Sequence, residues 1–482
     1  MRIKRKIKKY SEELQIPEIS RVLPEDVIAQ MEEQVKEVKK PAKYRAYMKW
    51  VYSGAGVAIA GIAALVICLN ANRGNVSGDR FGQTSQNSAV GTDGVIEGDV
   101  NSGFIKGEFE YAEGVMDFEE TKDMAGNVTD AQAGTLTGGE IRDNVNWDNW
   151  LNYQDKEVLA NWKLAINDRL SVYVHNGDTP LLNCKVVLYR NQETVYTAIT
   201  DIKGNAYLYT FNQVTIKDCD TIEITCPDGT VESYKLSEII DSGNRADIEL
   251  EGSNPKLKLD LMFMVDTTGS MDDELNYLKE ELKNVVTTVN KDTGADIRTS
   301  VNFYRDTTDE YIVKYYDFRK DIDEACKLID AEEAAGGGDF PEAVHTAIDN
   351  AINQHVWEED SIKLMFLVLD APPHDDDSIK AQIAELMSKA ASQGIRIIPV
   401  AASGADEETQ QILRAYALLT GGTFTFLDDN SGVGESHTIP IKEDEYESEY
   451  LNSMLIRIIG DYCGNPTETK YFRQNSNNNN SN

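Results

Sequence analysis

Leu261-Met262-Phe263-Met264-Val265-Asp266-Thr267-Thr268-Gly269-Ser270 decides the fold of the largest domain of this chain. An unbroken apolar run bounded by a turn signal reads as a buried strand. The residues from Asp272 onward follow a helical pattern. Asp266, Thr268 and Ser270 therefore sit on one tight loop at the carboxyl end of a strand. One carboxylate supplies charge and two hydroxyls supply neutral oxygens, which suits a hard divalent cation. Open α/β sheets place ligands at that edge. The plainer alternative is a turn followed by a helix cap, for which Asp and Ser are also favoured.

Two downstream segments argue against the plainer alternative. Ile362-Lys-Leu-Met-Phe-Leu-Val-Leu369 reads as a second buried strand ending at Asp370. Gly336-Gly337-Gly338-Asp339-Phe340-Pro341-Glu342-Ala343 reads as a loop between the two. Together these residues resemble the metal-ion-dependent adhesion site of von Willebrand factor A domains, whose pattern is Asp-x-Ser/Thr-x-Ser with a distant Thr and a distant Asp. The resemblance implies a Rossmann-like α/β domain and assigns Asp266, Thr268, Ser270 and Asp370 as ligands of Mg²⁺, with Mn²⁺ or Ca²⁺ as substitutes. The family's Thr aligns with Gly338, which has no side chain, so Asp339 is the expected source of the missing oxygen, directly or through water. It further implies a protein partner whose carboxylate completes the coordination shell.

Strands alternate with helices from Leu257 to Ile459, which predicts a mainly parallel sheet covered on both faces over 255–462. The expected strands are Leu257–Asp266, Ile297–Tyr304, Tyr311–Phe318, Ile362–Asp370, Ile395–Ala401 and Gly422–Leu427. Tyr311–Phe318 is expected as an antiparallel edge strand. Helices are expected from Asp272, Asp321, Pro341, Ser378 and Asp406, with a last one near Glu443–Ile459.

Upstream, residues 166–252 carry short alternating strands separated by turn signals, as in a small all-β sandwich. That stretch loosely resembles carboxypeptidase-regulatory-like modules of bacterial surface proteins, which act as spacers or binding platforms. Residues 136–165 contain Trp147, Trp150 and Trp162 and read as a linker. Its aromatics are expected to pack against a neighbouring domain, the alternative being a sugar-binding platform.

Val51 to Leu69 carries no charge. As a helix it would be about 28 Å long, close to a bilayer core. Basic residues flank its amino side, so the expectation is one transmembrane helix over 51–70, with residues 1–50 cytoplasmic and the rest outside. A buried core helix, a cleaved signal peptide and a lipoprotein signal at Cys68 are the alternatives. A helical pattern near Pro24–Val38 reads as a lipid-facing basic segment or as a docking helix. Residues 71–135 read as a flexible tether and 463–482 as a disordered Asn-rich tail. The whole resembles a membrane-anchored bacterial surface protein.

The net charge is −35. Residues 1–50 carry a surplus of 5 positive charges, which leaves −40 on the remainder. Such a surface repels nucleic acid and favours cations. Cys184, Cys219 and Cys226 allow one disulfide, and Cys326, on a helical pattern, is expected as a core thiol. No His-Glu-x-x-His, Gly-x-Ser-x-Gly or phosphate-loop signature occurs, so an enzyme is not expected. Two other readings remain: a structural module that metal merely stabilises, and an envelope hydrolase acting through Asp339, Glu342 and His374.

Overall fold

The computed structural model describes residues 132–292, 295–433, 436–440 and 446–464. The expected cytoplasmic segment, the transmembrane helix, most of the tether and all but the first residues of the tail lie outside them. Among the described residues no helix is long and apolar enough to cross a membrane.

The chain opens with β1 (Thr137–Ile141) and two short helices, α1 (Trp147–Tyr153) and α2 (Lys156–Asn161). Eight strands follow: β2 (Asp168–Asn176), β3 (Thr179–Pro180), β4 (Lys185–Arg190), β5 (Glu193–Ile199), β6 (Asn205–Thr210), β7 (Thr221–Thr225), β8 (Val231–Lys235) and β9 (Arg245–Glu249), with the single-turn α3 (Leu236–Ile239) before β9. They form two four-stranded sheets, β3-β2-β6 with β9 beside β2, and β5-β4-β7-β8. Leu170 and Val172 of one sheet share a buried cluster with Val186 and Ile222 of the other. A disulfide joins Cys184 to Cys226 beside the paired strands β4 and β7, while Cys219 stays a buried thiol.

The remaining elements alternate as expected: β10 (Lys258–Asp266), α4 (Asp272–Asp292), β11 (Asp296–Tyr304), β12 (Val313–Lys314), α5 (Ile322–Asp330), α6 (Val344–Asn353), β13 (Ile362–Leu369), α7 (Asp377–Gln393), β14 (Ile395–Ala401), α8 (Glu407–Thr420), β15 (Phe424–Leu427), β16 (Glu449–Tyr450) and α9 (Leu451–Tyr462). The sheet order is β12-β11-β10-β13-β14-β15-β1-β16. β10 and β13 are neighbours in its interior, parallel and in register from Leu259↔Ile362 to Val265↔Val368. Their side chains divide with a period of two. Leu261, Phe263, Val265, Leu364 and Phe366 enter one core cluster, and Met262, Met264, Met365 and Leu367 enter the other. Burial on both faces explains the near-continuous apolar runs. Asp321, Asp376 and Asp406 cap the helices that follow them by accepting backbone N–H bonds. Gly394 and Gly421 end α7 and α8 with φ of 72° and 73°, where a side chain would be strained.

Several expectations need correction. The 136–165 stretch is not merely a linker: β1 pairs antiparallel with both β15 and β16, so the sheet draws a strand from far upstream of residue 255. Asp143, just past that strand, makes a buried bidentate pair with Arg414 of α8 at 3.0 and 2.7 Å. Within that stretch the aromatics pack as expected: Trp150 and Trp162 are buried, and Trp162 Nε1 donates to Glu408 at 2.8 Å. Only Val313 and Lys314 of the expected Tyr311–Phe318 strand pair, antiparallel to Phe303 and Tyr304. The last helix begins at Leu451 rather than near Glu443, and the one expected from Pro341 begins at Val344. Cys326 is half-buried on α5 and not a core thiol.

The two small sheets dock on α7 and α8. Tyr196 Oη donates to Leu419 O at 2.7 Å and Tyr209 Oη to Leu418 O at 3.0 Å. Both hydroxyls are buried, so each bond satisfies a group that would otherwise cost stability.

Candidate functional site

The carboxyl edge of the large sheet brings four loops together. β10 ends on Asp266, which is fully buried. Its Oδ1 accepts from the Thr268 N–H at 2.9 Å and the Thr268 hydroxyl at 2.7 Å. Thr268 Oγ1 in turn lies 3.2 Å from Ser270 Oγ. Ser270 is exposed, so this row of oxygens climbs from the core to the surface. Asp266 Oδ2 is buried without a hydrogen-bond partner. The buried Tyr304 hydroxyl, at the paired end of β11, lies close enough to favour the Asp266 carboxylate without forming a hydrogen bond of regular geometry.

Asp370 follows β13 directly and is 3% exposed. Burial, and secondly the negative charge of Asp370, pushes the Asp266 carboxyl up to about 7. The sequence thus pairs two carboxylates that repel each other across adjacent central strands. Gly404, after β14, packs against Asp370: a Cβ there would stand 3.8 Å from Asp370 Oδ2.

The glycine loop lies over the Thr268 turn. Gly269 N–H donates to Gly336 O at 3.3 Å, and Gly337 N–H donates to Asp309 Oδ2 at 2.9 Å. A Cβ on Gly337 would come within 3.5 Å of Thr268 Cβ and 3.2 Å of Glu342 Oε1, and its φ of +76° also favours glycine. Asp339, expected as a donor, is exposed. Glu342, three positions on, is the carboxylate that this loop buries, at 3% exposure. Its N–H donates to Pro372 O at 2.9 Å, tying the loop to the segment after Asp370. Burial, then the charges of Asp266, Asp306 and Asp370, raises the Glu342 carboxyl to about 9. His374 Nε2 donates to Oδ1 of the buried Asp306 at 2.6 Å. Asp339, Glu342 and His374 thus stand in three different settings: exposed, buried and paired with Asp306.

Asp306, Glu342 and Tyr304 were not assigned to this site by the sequence pattern. The available signal was position: Tyr304 ends the strand next to Asp266 and Asp306 lies two residues beyond it, as Asp370 directly follows the strand on the other side.

The donor set fits a hard cation in its chemistry, with buried carboxylates, adjacent hydroxyls and an Asp266 oxygen left unsatisfied. Among the described residues, no three His, Cys, Asp or Glu side chains are close enough to form a ready cage. Any cation held here would therefore lean on the hydroxyls and on water as well as on carboxylates.

Comparison with known proteins agrees on the domain. The family model for the von Willebrand factor type A domain matches residues 260–436. Such a domain is therefore present, of a class that commonly mediates protein–protein interaction. β1, β16 and α9 lie outside the matched stretch, although they belong to the same sheet and its cover. An ariadne-like RING finger protein of Acanthamoeba polyphaga mimivirus is 28% identical over 230 residues, which is 41% of this chain and 23% of that protein. The chain thus spans under a quarter of that relative. Proximal thread matrix protein 1 from the mussel byssus aligns at 14% identity, over 34% of this chain and 40% of that one, with a TM-score of 0.26. That likeness is too slight to bear on fold or function.

Proposed function

We propose that this protein is a membrane-anchored, outward-facing binding protein that captures a protein partner through a divalent cation at the carboxyl edge of its A domain. The observation that carries this reading is Asp266 Oδ2: a carboxylate oxygen buried at the end of the central strand, with no hydrogen bond and with a second buried carboxylate beside it. A fold that keeps such a group dry gives it a reason to bind a positive charge. Asp266, Thr268, Ser270 and Asp370 would hold the ion, with Asp339 assisting from the rim through water. Mg²⁺ fits best because it retains waters readily, and Mn²⁺ or Ca²⁺ would substitute. With part of its shell from neutral oxygens, the ion would attract a partner's carboxylate. The protein's task is then binding rather than catalysis.

Residues 51–70 would anchor the chain in a membrane, with 1–50 cytoplasmic and 71–135 as tether. The two small sheets would form a β-sandwich spacer, fixed to α7 and α8 rather than swinging freely. The test is capture from cell-surface extract by the full-length chain in Mg²⁺ against EDTA, with Asp266→Ala alongside. Undiminished capture by the variant would reject the reading.

A second reading draws on the lack of a ready cage of three ligating side chains among the described residues. Here the domain is an assembly module and metal only steadies its loops. Chelation would then lower the melting temperature without any carboxylate-dependent partner.

A further inference from the structure

Glu274 lies on the first turns of α4, shortly after Ser270, and is wholly buried. Its carboxylate faces two other parts of the chain. Ser403 N–H points at Oε1 and Oε2 from 3.3 and 3.4 Å, and His437 Nε2 lies 2.9 Å from Oε1. Ser403 precedes Gly404, the residue packed against Asp370. One side chain therefore touches both the helix that leaves the Asp266–Ser270 loop and the turn that abuts Asp370.

His437 is buried too, and its other ring nitrogen, Nδ1, lies 2.8 Å from Asp429 Oδ1. That same oxygen accepts the His437 backbone N–H at 2.9 Å. A neutral imidazole has a single N–H and donates to one acceptor only. With a carboxylate on each nitrogen, the doubly protonated ring is the form that satisfies both. Glu274 on α4 and Asp429 after β15 are the charged groups that face it. The Glu274–His437 pair has 1% and 2% side-chain exposure, whereas Asp429 has 61%. The arrangement is a buried ion pair with a solvent-facing handle.

We infer that Glu274 and His437 are positioning residues, a brace through which the segment carrying Asp429 and His437 holds the two turns of the cation site in place. This rests on the cation-site reading given above. Without the His437 ring, Glu274 would keep the long Ser403 contacts and be left a poorly satisfied buried carboxylate. Glu274 would shift, and the Ser403 turn and the start of α4 with it.

The test compares full-length wild type with His437→Gln and with Asp429→Asn, the latter altering only the exposed handle. Hydrogen exchange is measured first without metal. Amides from Thr268 to Met271 and at Ser403 should exchange about fivefold faster or more in His437→Gln, and to a smaller degree in Asp429→Asn. Mn²⁺ titration should then show affinity about fivefold weaker in His437→Gln. Unchanged exchange at those amides in both variants, with the proteins folded, would overturn the brace. So would Mn²⁺ affinity equal to wild type in both. If wild type bound no Mn²⁺ at all, the cation reading would fail, and the metal-free exchange would still decide the brace.

Discussion

Asp260 and Asp266 lie on the same strand, and both are buried, at 1% and 0% exposure. Their surroundings are opposite. At the amino end of β10, Asp260 accepts a bidentate pair from Arg298 at 2.8 and 2.7 Å, the Glu358 N–H at 2.7 Å and the Ser361 hydroxyl at 3.0 Å. At the carboxyl end, Asp266 has Thr268 on one oxygen, no hydrogen bond on the other, and Asp370 as a charged neighbour. The amino edge of the sheet is built for stability and the carboxyl edge is left unsatisfied. The contrast between the two ends of one strand supports the role proposed above for the Asp266 end.

The comparison is broken most directly at Asp260. Asp260→Ala removes four hydrogen bonds, leaves Arg298 with only Glu358 and the Val356 carbonyl, and should cost about 3 kcal/mol in chemical denaturation. A cost under 1 kcal/mol would remove the contrast. Asp266→Asn should do the reverse in cation-free protein. A folded-state carboxyl near 7, against 3.8 when unfolded, means the folded form holds its proton longer. Stability attributable to Asp266 is thus greatest below the unfolded value and falls as pH rises from about 4 through 7. The variant should therefore be more stable at pH 8 by on the order of 2–4 kcal/mol, and lack that decline.

Cation addition sharpens the contrast. Mn²⁺ at about 100 times its dissociation constant should stabilise wild type by about 2.7 kcal/mol and leave Asp266→Ala unmoved in thermal melts. The smallest effect is expected at His437. Burial opposes its charge, but Glu274 and Asp429 more than offset this and hold its pKa above 6.5. The stabilisation is fully present below pH 6.5 and is lost as pH rises through the folded value. It should amount to about 1.5 kcal/mol, in line with a hydrogen bond to a charged group, and His437→Gln should flatten that limb of the pH profile.

Much of this was legible before any coordinates. An apolar run halted by Asp266, and another halted by Asp370, announce strand ends, because an unpaired carboxylate is not buried in the middle of a packed sheet without cause. The caps at Asp321 and Asp406 are equally local. The burial of Glu342 and the exposure of Asp339 were not legible, because residues three apart on a glycine-rich loop carry no periodicity that tells the buried from the exposed one. β1 was missed because a five-residue strand with Gly138 and Gly139 inside it has little apolar pattern of its own.

The sequence by itself determined the alternation of strands and helices, the two central strands and the loop at Asp266, since each is written in neighbouring residues through side-chain period and turn chemistry. Only the tertiary structure decided that Thr137–Ile141 joins the far side of that sheet, that Arg298 neutralises Asp260 while nothing comparable serves Asp266, and that Glu274 meets His437. Those outcomes depend on the desolvation and pairing of groups more than a hundred residues apart in several cases, and no local pattern encodes which distant group will arrive.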